Sequence, residues 1–253
     1  MSVKKSARAA ARAVKLFLQS GTYAQRSYIV DNDKKLIYLI VYKSACSSIM
    51  ASVTGFKDAS NYLRIHHSLG GRGVISQNID PRDYKGYFSF TFVRNPLERL
   101  VSCYASKFVN DKKLLGQHDL KRLYFDRYLF GFLKKDRGFP GFVRRVVRIP
   151  AFLADRHFIS QSYLITDRKG RKLVEYVGRF EQLPEAFDDI ARKYSIAPLA
   201  RYNATGKGNW MDYYDRDTAK MAVEYYKDDI AMFGYEEQAR ELLNYTQDKV
   251  NER

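Results

Sequence analysis

FSFTFVRNPLERLVSCYASKF, residues 88–108, decides the fold. Residues 88–93 alternate aromatic, hydroxyl and aliphatic side chains, which suits a strand covered on both faces. Asn95 is a good helix cap and Pro96 suits the first helical position. Leu97, Leu100, Val101, Tyr104, Ala105 and Phe108 then recur at helical spacing. The pattern predicts a strand, a short turn and an amphipathic helix, with Arg94 at the carboxyl end of the strand beside the helix N-terminus. Ser102 falls roughly two turns along, on about the same helical face as Asn95. A guanidinium, helix-start N–H donors and a hydroxyl on one side form a candidate phosphate site.

A second unit of the same kind lies upstream. LIYLIVY, residues 36–42, is a continuous apolar run that reads as a central parallel strand. Lys43-Ser44-Ala45-Cys46-Ser47-Ser48 follows, and Ile49 to Val53 can begin a helix. Small side chains let backbone N–H groups approach an anion, and the helix dipole favours it. The segment is not a Walker A motif, because no GxxxxGK[ST] is present and the lysine precedes the small residues. Alone it reads equally well as a surface turn with a serine cap. Paired with the Arg94 element it describes one crevice at the carboxyl ends of a doubly wound sheet.

At 253 residues the chain is long enough to bury a substantial core, and its 45% hydrophobic content excludes disorder. Cys46 and Cys103 form neither a disulfide framework nor a metal-ligand cluster, and no HxxxH or HExxH is present, so no metal is expected. The net charge of +16 points to an anionic partner: a nucleotide, an acidic polysaccharide, nucleic acid or an anionic membrane. Basic residues cluster in the first thirty positions, through 134–148, and at 168–172, where a hairpin turn is the simpler reading. No apolar run approaches the roughly 20 residues of a membrane span. The N-terminal composition suits a short basic helix packed on the domain, one lying on a membrane surface, or an organelle transit peptide.

With these motifs in place the chain resembles the sulfotransferases that use 3′-phosphoadenosine 5′-phosphosulfate, in the branch of Golgi carbohydrate sulfotransferases and their bacterial relatives. YKSACSSI (42–49) is similar to that family's 5′-phosphosulfate loop, and FTFVRNPLERLVSCYASKF (90–108) to its 3′-phosphate segment. DRHFISQSYLI (155–165) resembles a His-containing segment near the acceptor side. VGRFEQLPEAFDDIARKY (177–194) and YYDRDTAKMAVEYYKDDIAMFGYE (213–236) resemble the C-terminal signature. Two departures stand out: Tyr42 where the family usually has Pro, and Ala45 where it often has Gly, although Ala reaches left-handed angles only at a cost. The membrane anchor of the Golgi members is not seen, so a soluble, cytoplasmic, bacterial-type enzyme is expected.

The resemblance implies an α/β fold: a single P-loop-like three-layer domain over 31–253, with a central parallel sheet and helices on both faces, after a basic extension at 1–30. It implies sulfuryl transfer from 3′-phosphoadenosine 5′-phosphosulfate to a hydroxyl or amine of a glycan, with adenosine 3′,5′-bisphosphate as product. Lys43 is expected at the 5′-phosphosulfate, where it also acts in catalysis. Ser44, Ala45, Cys46, Ser47 and Ser48 are expected to cradle the 5′-phosphate, and Arg94 and Ser102 the 3′-phosphate. Phe180 falls where the family stacks an aromatic near adenine, core packing being the alternative. Lys207, in TGKGNW, falls in a loop similar to one that closes over the nucleotide. The general base is expected from His67, with His66 beside it, between the two motifs; His157 reads either as structural or as an acceptor contact, and His118 has no context. Two other classes stay open at this point: a P-loop-like small-molecule kinase, which lacks its Walker A, and a basic nucleic-acid-binding protein, which lacks a recognition signature.

Overall fold

A computed structural model describes residues 26–56, 75–77, 79–106, 132–133, 138–199 and 208–251. Its strands are β1 (Ser27–Asp31), β2 (Leu36–Leu39), β3 (Ile75–Gln77), β4 (Phe88–Val93) and β5 (Tyr176–Arg179). Its α-helices are α1 (Cys46–Thr54), α2 (Pro96–Tyr104), α3 (Gly138–Val146), α4 (Gln161–Ile165), α5 (Leu183–Tyr194), α6 (Arg216–Tyr225), α7 (Lys227–Phe233) and α8 (Glu236–Asn251). The described residues fall into two compact units, one from 26–94 and 161–199, the other from 95–160 and 208–251. The divide therefore passes between Arg94 and Asn95, and again between Ser160 and Gln161.

The first unit holds the whole sheet, in the order β3-β1-β2-β4-β5. The expected parallel core is β2, β4 and β5, while β1 pairs antiparallel with β2 and β3 antiparallel with β1. β1 begins at Ser27, inside the stretch 1–30 read from sequence as a basic extension, because SYIVD pairs residue for residue with β2. Arg26 closes the start of this strand by donating to the carbonyls of Tyr163, Leu164 and Thr166 at 3.1, 2.7 and 2.6 Å. The helix α4 has no further turn whose N–H groups could donate to these carbonyls, so a guanidinium donates instead. β2 ends at Leu39 rather than Tyr42, although Ile40 N still donates to Ser27 O at 2.9 Å.

Pleating sends Leu36, Tyr38, Phe90 and Phe92 to one face, where they pack with Ile49, Met50 and Val53 of α1 and Leu183, Phe187 and Ile190 of α5. The opposite face is also dry: Tyr28, Ile37, Leu39 and Thr91 have no exposed surface. Burial on both faces explains why 36–42 reads as a continuous apolar run rather than an alternating one. Burying each of these large side chains contributes about 1.5–3 kcal/mol.

The second unit is helical. α2 buries Leu97, Leu100, Val101 and Cys103, and α3 buries Phe139, Phe142, Val143 and Val146. Tyr104 sets its ring 5.3 and 5.5 Å from those of Phe139 and Phe142, and Tyr214 donates to the carbonyl of Leu97 at 2.9 Å. α6 opens on a reciprocal cap between Asp215 and Thr218. Among the described residues no helix is long and apolar enough to cross a membrane.

The β4–β5 pairing sets the tightest packing constraint. Phe92 is registered opposite Gly178, and a Cβ added there would lie 2.3 Å from the Phe92 ring edge. Phe92 is fully buried and has nowhere to move. Gly178→Ala is expected to cost about 1–3 kcal/mol by overpacking, read as a lower urea midpoint at unchanged slope.

Candidate functional site

Three neighbouring parallel strands deliver a cation each to the same end of the sheet. Lys43 follows β2, Arg94 follows β4, and Arg179 is the last residue of β5. The loop after β2 is held in an unusual shape: Lys43 has φ 72°, and Ala45, the N-cap of α1, has φ 57° and ψ 21°. Two left-handed non-glycine residues within three positions store strain of about 1–2 kcal/mol each. The Ala45 carbonyl accepts from Ser48 N and Ile49 N at 3.0 and 3.1 Å, so the first turn of α1 starts immediately. The positive end of the helix therefore lies at the small residues Ser44 to Ser47.

Arg94 is buried, and its backbone is bracketed by one side chain. Arg94 N donates to Gln161 Oε1 at 3.0 Å, and Gln161 Nε2 donates back to Arg94 O at 2.8 Å. The amide thus imitates a neighbouring strand just where β4 runs out of ladder partners. Ser44 Oγ donates to the same Oε1 at 3.4 Å, which ties the β2 loop to the β4 end. The Arg94 guanidinium donates to Lys43 O at 3.4 Å and lies 4.5 Å from the centre of the Phe180 ring. Phe180 also packs against the core under α1 and α5, so its ring has both a packing and a cation-facing role.

The structure thus brings Lys43, Ser44, Ala45, Cys46, Ser47, Ser48, Arg94 and Phe180 together in the sheet unit. Ser102 belongs to the helical unit, where it is buried on α2 seven residues beyond the cap Asn95, whose Oδ1 accepts from Leu97 N at 3.0 Å. His66, His67, His118 and Lys207 lie outside the described residues. His157 also belongs to the helical unit, with Nδ1 2.6 Å from Asp155 Oδ1, and both residues are buried. Asp155 Oδ1 accepts the His157 backbone N–H as well, at 2.9 Å.

Gln161 and Arg179 escaped the sequence reading. Gln161 acts across 67 positions and carries no periodic signal, and its only trace is a polar residue opening a short apolar helix. Arg179 stands beside Phe180 in GRFE, and only the register of β5 against β4 reveals that it ends a strand.

The profile of the sulfotransferase family matches residues 26–236, a span that contains every element described except α8, of which it reaches only the first residue. The chain belongs to the sulfotransferase family. Over 90 residues it is 37% identical to carbohydrate sulfotransferase 11 of Danio rerio, covering 32% of this chain and 26% of that protein. The Rattus norvegicus protein of the same name is 36% identical over the same length and shares. Carbohydrate sulfotransferase 14 of Homo sapiens is 25% identical over 190 residues, 71% of this chain and 49% of that protein. The matches thus span between a quarter and a half of the length of these relatives. No solved structure matches the chain.

Within this sulfotransferase-family chain the amide bracket predicts a sharp loss. Gln161→Leu keeps the volume but leaves a buried backbone donor and acceptor unmet, at a cost of about 1–3 kcal/mol each; chemical denaturation should show it directly. Ala45→Gly should act in the opposite direction. It removes left-handed strain of about 1–2 kcal/mol and adds about 0.5–1 kcal/mol of chain entropy, so a small net rise in thermal midpoint is expected.

Proposed function

We propose that the chain transfers a sulfuryl group from 3′-phosphoadenosine 5′-phosphosulfate to a hydroxyl or amine of a carbohydrate. Membership of the sulfotransferase family supports the reaction class, and the printed names of the similar proteins support a carbohydrate acceptor. The observation that carries the reading is the joined end of β2 and β4, where Gln161 ties Ser44 to Arg94 and the Arg94 guanidinium bonds the Lys43 carbonyl. An anion-binding loop and a fixed guanidinium are what a nucleotide with two phosphorylated ends requires.

The residues fit the donor. Ser44 to Ser48 carry no bulk that would keep a phosphate from the start of α1, and Phe180 presents an aromatic ring beside Arg94. When bound, the donor supplies an activated sulfuryl group on a phosphate leaving group. The chain's own part is electrostatic and geometric: Lys43 offers an ammonium for the charge that develops as the bond breaks, and the strained loop holds its donors in place before reaction. The bracket on Arg94 fixes the backbone from which the guanidinium reaches out, so little ordering remains at binding. In this reading Ser102 shares the 3′-phosphate, Lys207 contacts the nucleotide, and His67, with His66 beside it, takes the acceptor proton.

Arg94→Ala leaves the Gln161 bracket intact, since only backbone atoms of Arg94 take part. Loss of a charge-assisted pair worth about 1.5–3 kcal/mol should weaken adenosine 3′,5′-bisphosphate about tenfold to a hundredfold. Calorimetry with 5′-AMP and ATP as comparisons reads the effect, and Arg94→Lys should fall between, since it keeps the charge but not the fork. Unchanged affinity in Arg94→Ala would sink the assignment.

A further inference from the structure

The opposite end of the same parallel strands carries a second cleft, of about 380 Å³, that the nucleotide reading does not use. One wall is the turn before β4, the other the hairpin before β5, and Ser89 lies at the base. The strand β4 separates it from Arg94 by about 17 Å, at roughly 3.3 Å per residue.

Both walls are built rather than loose. Tyr87 N donates to Tyr84 O at 3.2 Å, and Gly86 has φ 78°, so 84–87 is a turn that needs glycine at its third position. Lys85 is exposed at its tip, while Tyr84 and Tyr87 flank it with ring centres 5.4 Å apart, edge to face. Across the cleft, the hairpin closes through Asp167 N to Arg171 O at 2.9 Å and the Thr166–Lys172 bridge. The Glu175 backbone N–H donates to Ser89 O and Oγ at 3.0 and 3.1 Å. Arg82 clasps the walls together, with Nε and NH2 on the Asp80 carboxylate and NH1 on Asp167 Oδ2 at 2.8 Å. Asp167 also accepts from Arg171 Nε and from the backbone of Lys169 and Arg171, each at 2.9 Å.

The clasp consumes Arg82, Asp80 and Asp167. The charges left on the lining are Lys85, Lys172 and Glu175, all exposed, and none of their side chains has a partner among the described residues. Two ammonium groups, a carboxylate and a pair of tyrosine rings within one cleft make a mixed demand. A plain polyanion meets the lysines but is repelled by Glu175. A neutral sugar meets the rings and Glu175 but leaves the lysines unused. An acidic saccharide satisfies all three at once: C–H faces on the rings, hydroxyls donating to Glu175, and ring carboxylates or sulfates on the lysines.

We propose that the cleft between the 84–87 turn and the 167–172 hairpin is a binding site for an anionic oligosaccharide, distinct from the nucleotide end of the sheet. The proposal stands on the cleft lining and not on the transfer chemistry, so its test uses binding alone. The full chain is titrated calorimetrically with a galacturonic acid hexamer, and with maltohexaose, hexaglutamate and inorganic sulfate as comparisons. The hexuronate should bind, and saturating adenosine 3′,5′-bisphosphate should leave its affinity unchanged. Exposed ion pairs being individually weak, Lys85→Ala with Lys172→Ala should reduce affinity about tenfold. Tyr84→Ala should reduce it about fivefold through lost ring contact, and hexaglutamate should bind no better to the intact chain than the hexuronate binds to the double lysine variant. Absence of hexuronate binding overturns the proposal. So does competition by the bisphosphate, equal affinity for hexaglutamate, or unchanged affinity in the double lysine variant. The hexuronate, hexaglutamate and lysine-variant outcomes do not depend on whether the nucleotide binds at the other end.

Discussion

The carboxamide of Gln161 is the contact on which the carboxyl end of the parallel strands depends. A parallel strand that reaches the sheet's end has a backbone N–H and C=O with no ladder partner, and in a buried position each must be met. Water cannot reach the buried Arg94 backbone freely, and a second strand there would cover the end of the sheet. One amide solves both problems, because it offers a donor and an acceptor at the spacing of a strand and occupies almost no width. The same oxygen takes the Ser44 hydroxyl, so the β2 loop and the β4 end share one anchor. Remove the amide and the Arg94 side chain loses its footing while its chemistry remains intact.

That anchor also gives a reason for the strain in the loop. Lys43 and Ala45 both adopt left-handed backbone, where glycine would be cheaper. Such conformations persist only where surrounding packing over-determines them. Here Ser44, fully buried between them, is tied to Gln161, and Ile49 and Met50 of the following helix are sunk in the sheet core. A chain pinned at its middle and at its far end must turn sharply in between. The turn leaves small side chains at the helix start and the Lys43 carbonyl against the Arg94 guanidinium.

Much of this was legible in the sequence for a physical reason. Burial on both faces writes a continuous apolar run at 36–42, and a cap followed by proline writes a helix start at 95–96. The structure has both: β2 occupies Leu36–Leu39 of that run, and α2 starts at Pro96 with Asn95 Oδ1 accepting from Leu97 N. Local signals of this kind involve neighbours within a few positions. Gln161 was not legible because its partners are 67 and 117 positions away, and nothing in ISQSYLI distinguishes an amide that brackets a strand from one that faces solvent. The antiparallel addition of β1 and β3 was missed for a related reason: SYIVD is short and follows a basic run that dominates composition.

Arg99 shows where periodicity misleads. Its position on α2 falls outside the apolar stripe of Leu97, Leu100, Val101 and Tyr104, and a charged residue there reads as solvated surface. The guanidinium instead has no exposed surface, donating to Ile159 O at 2.8 Å and Arg156 O at 3.2 Å. Its partners are carbonyls of a turn, to which Tyr226 also donates, bonding Phe158 O at 2.5 Å. Within the same turn, Ser160 donates to the Asp229 carboxylate and the His157 ring meets Asp155. A buried cation is costly unless every donor is met, and a turn rich in unmet carbonyls is costly unless donors arrive. Each solves the other's problem, so the two arginines five positions apart have opposite uses. Arg99 is spent on structure in the helical unit, whereas Arg94 has its backbone secured by Gln161 and its guanidinium directed to the Lys43 carbonyl and the Phe180 ring.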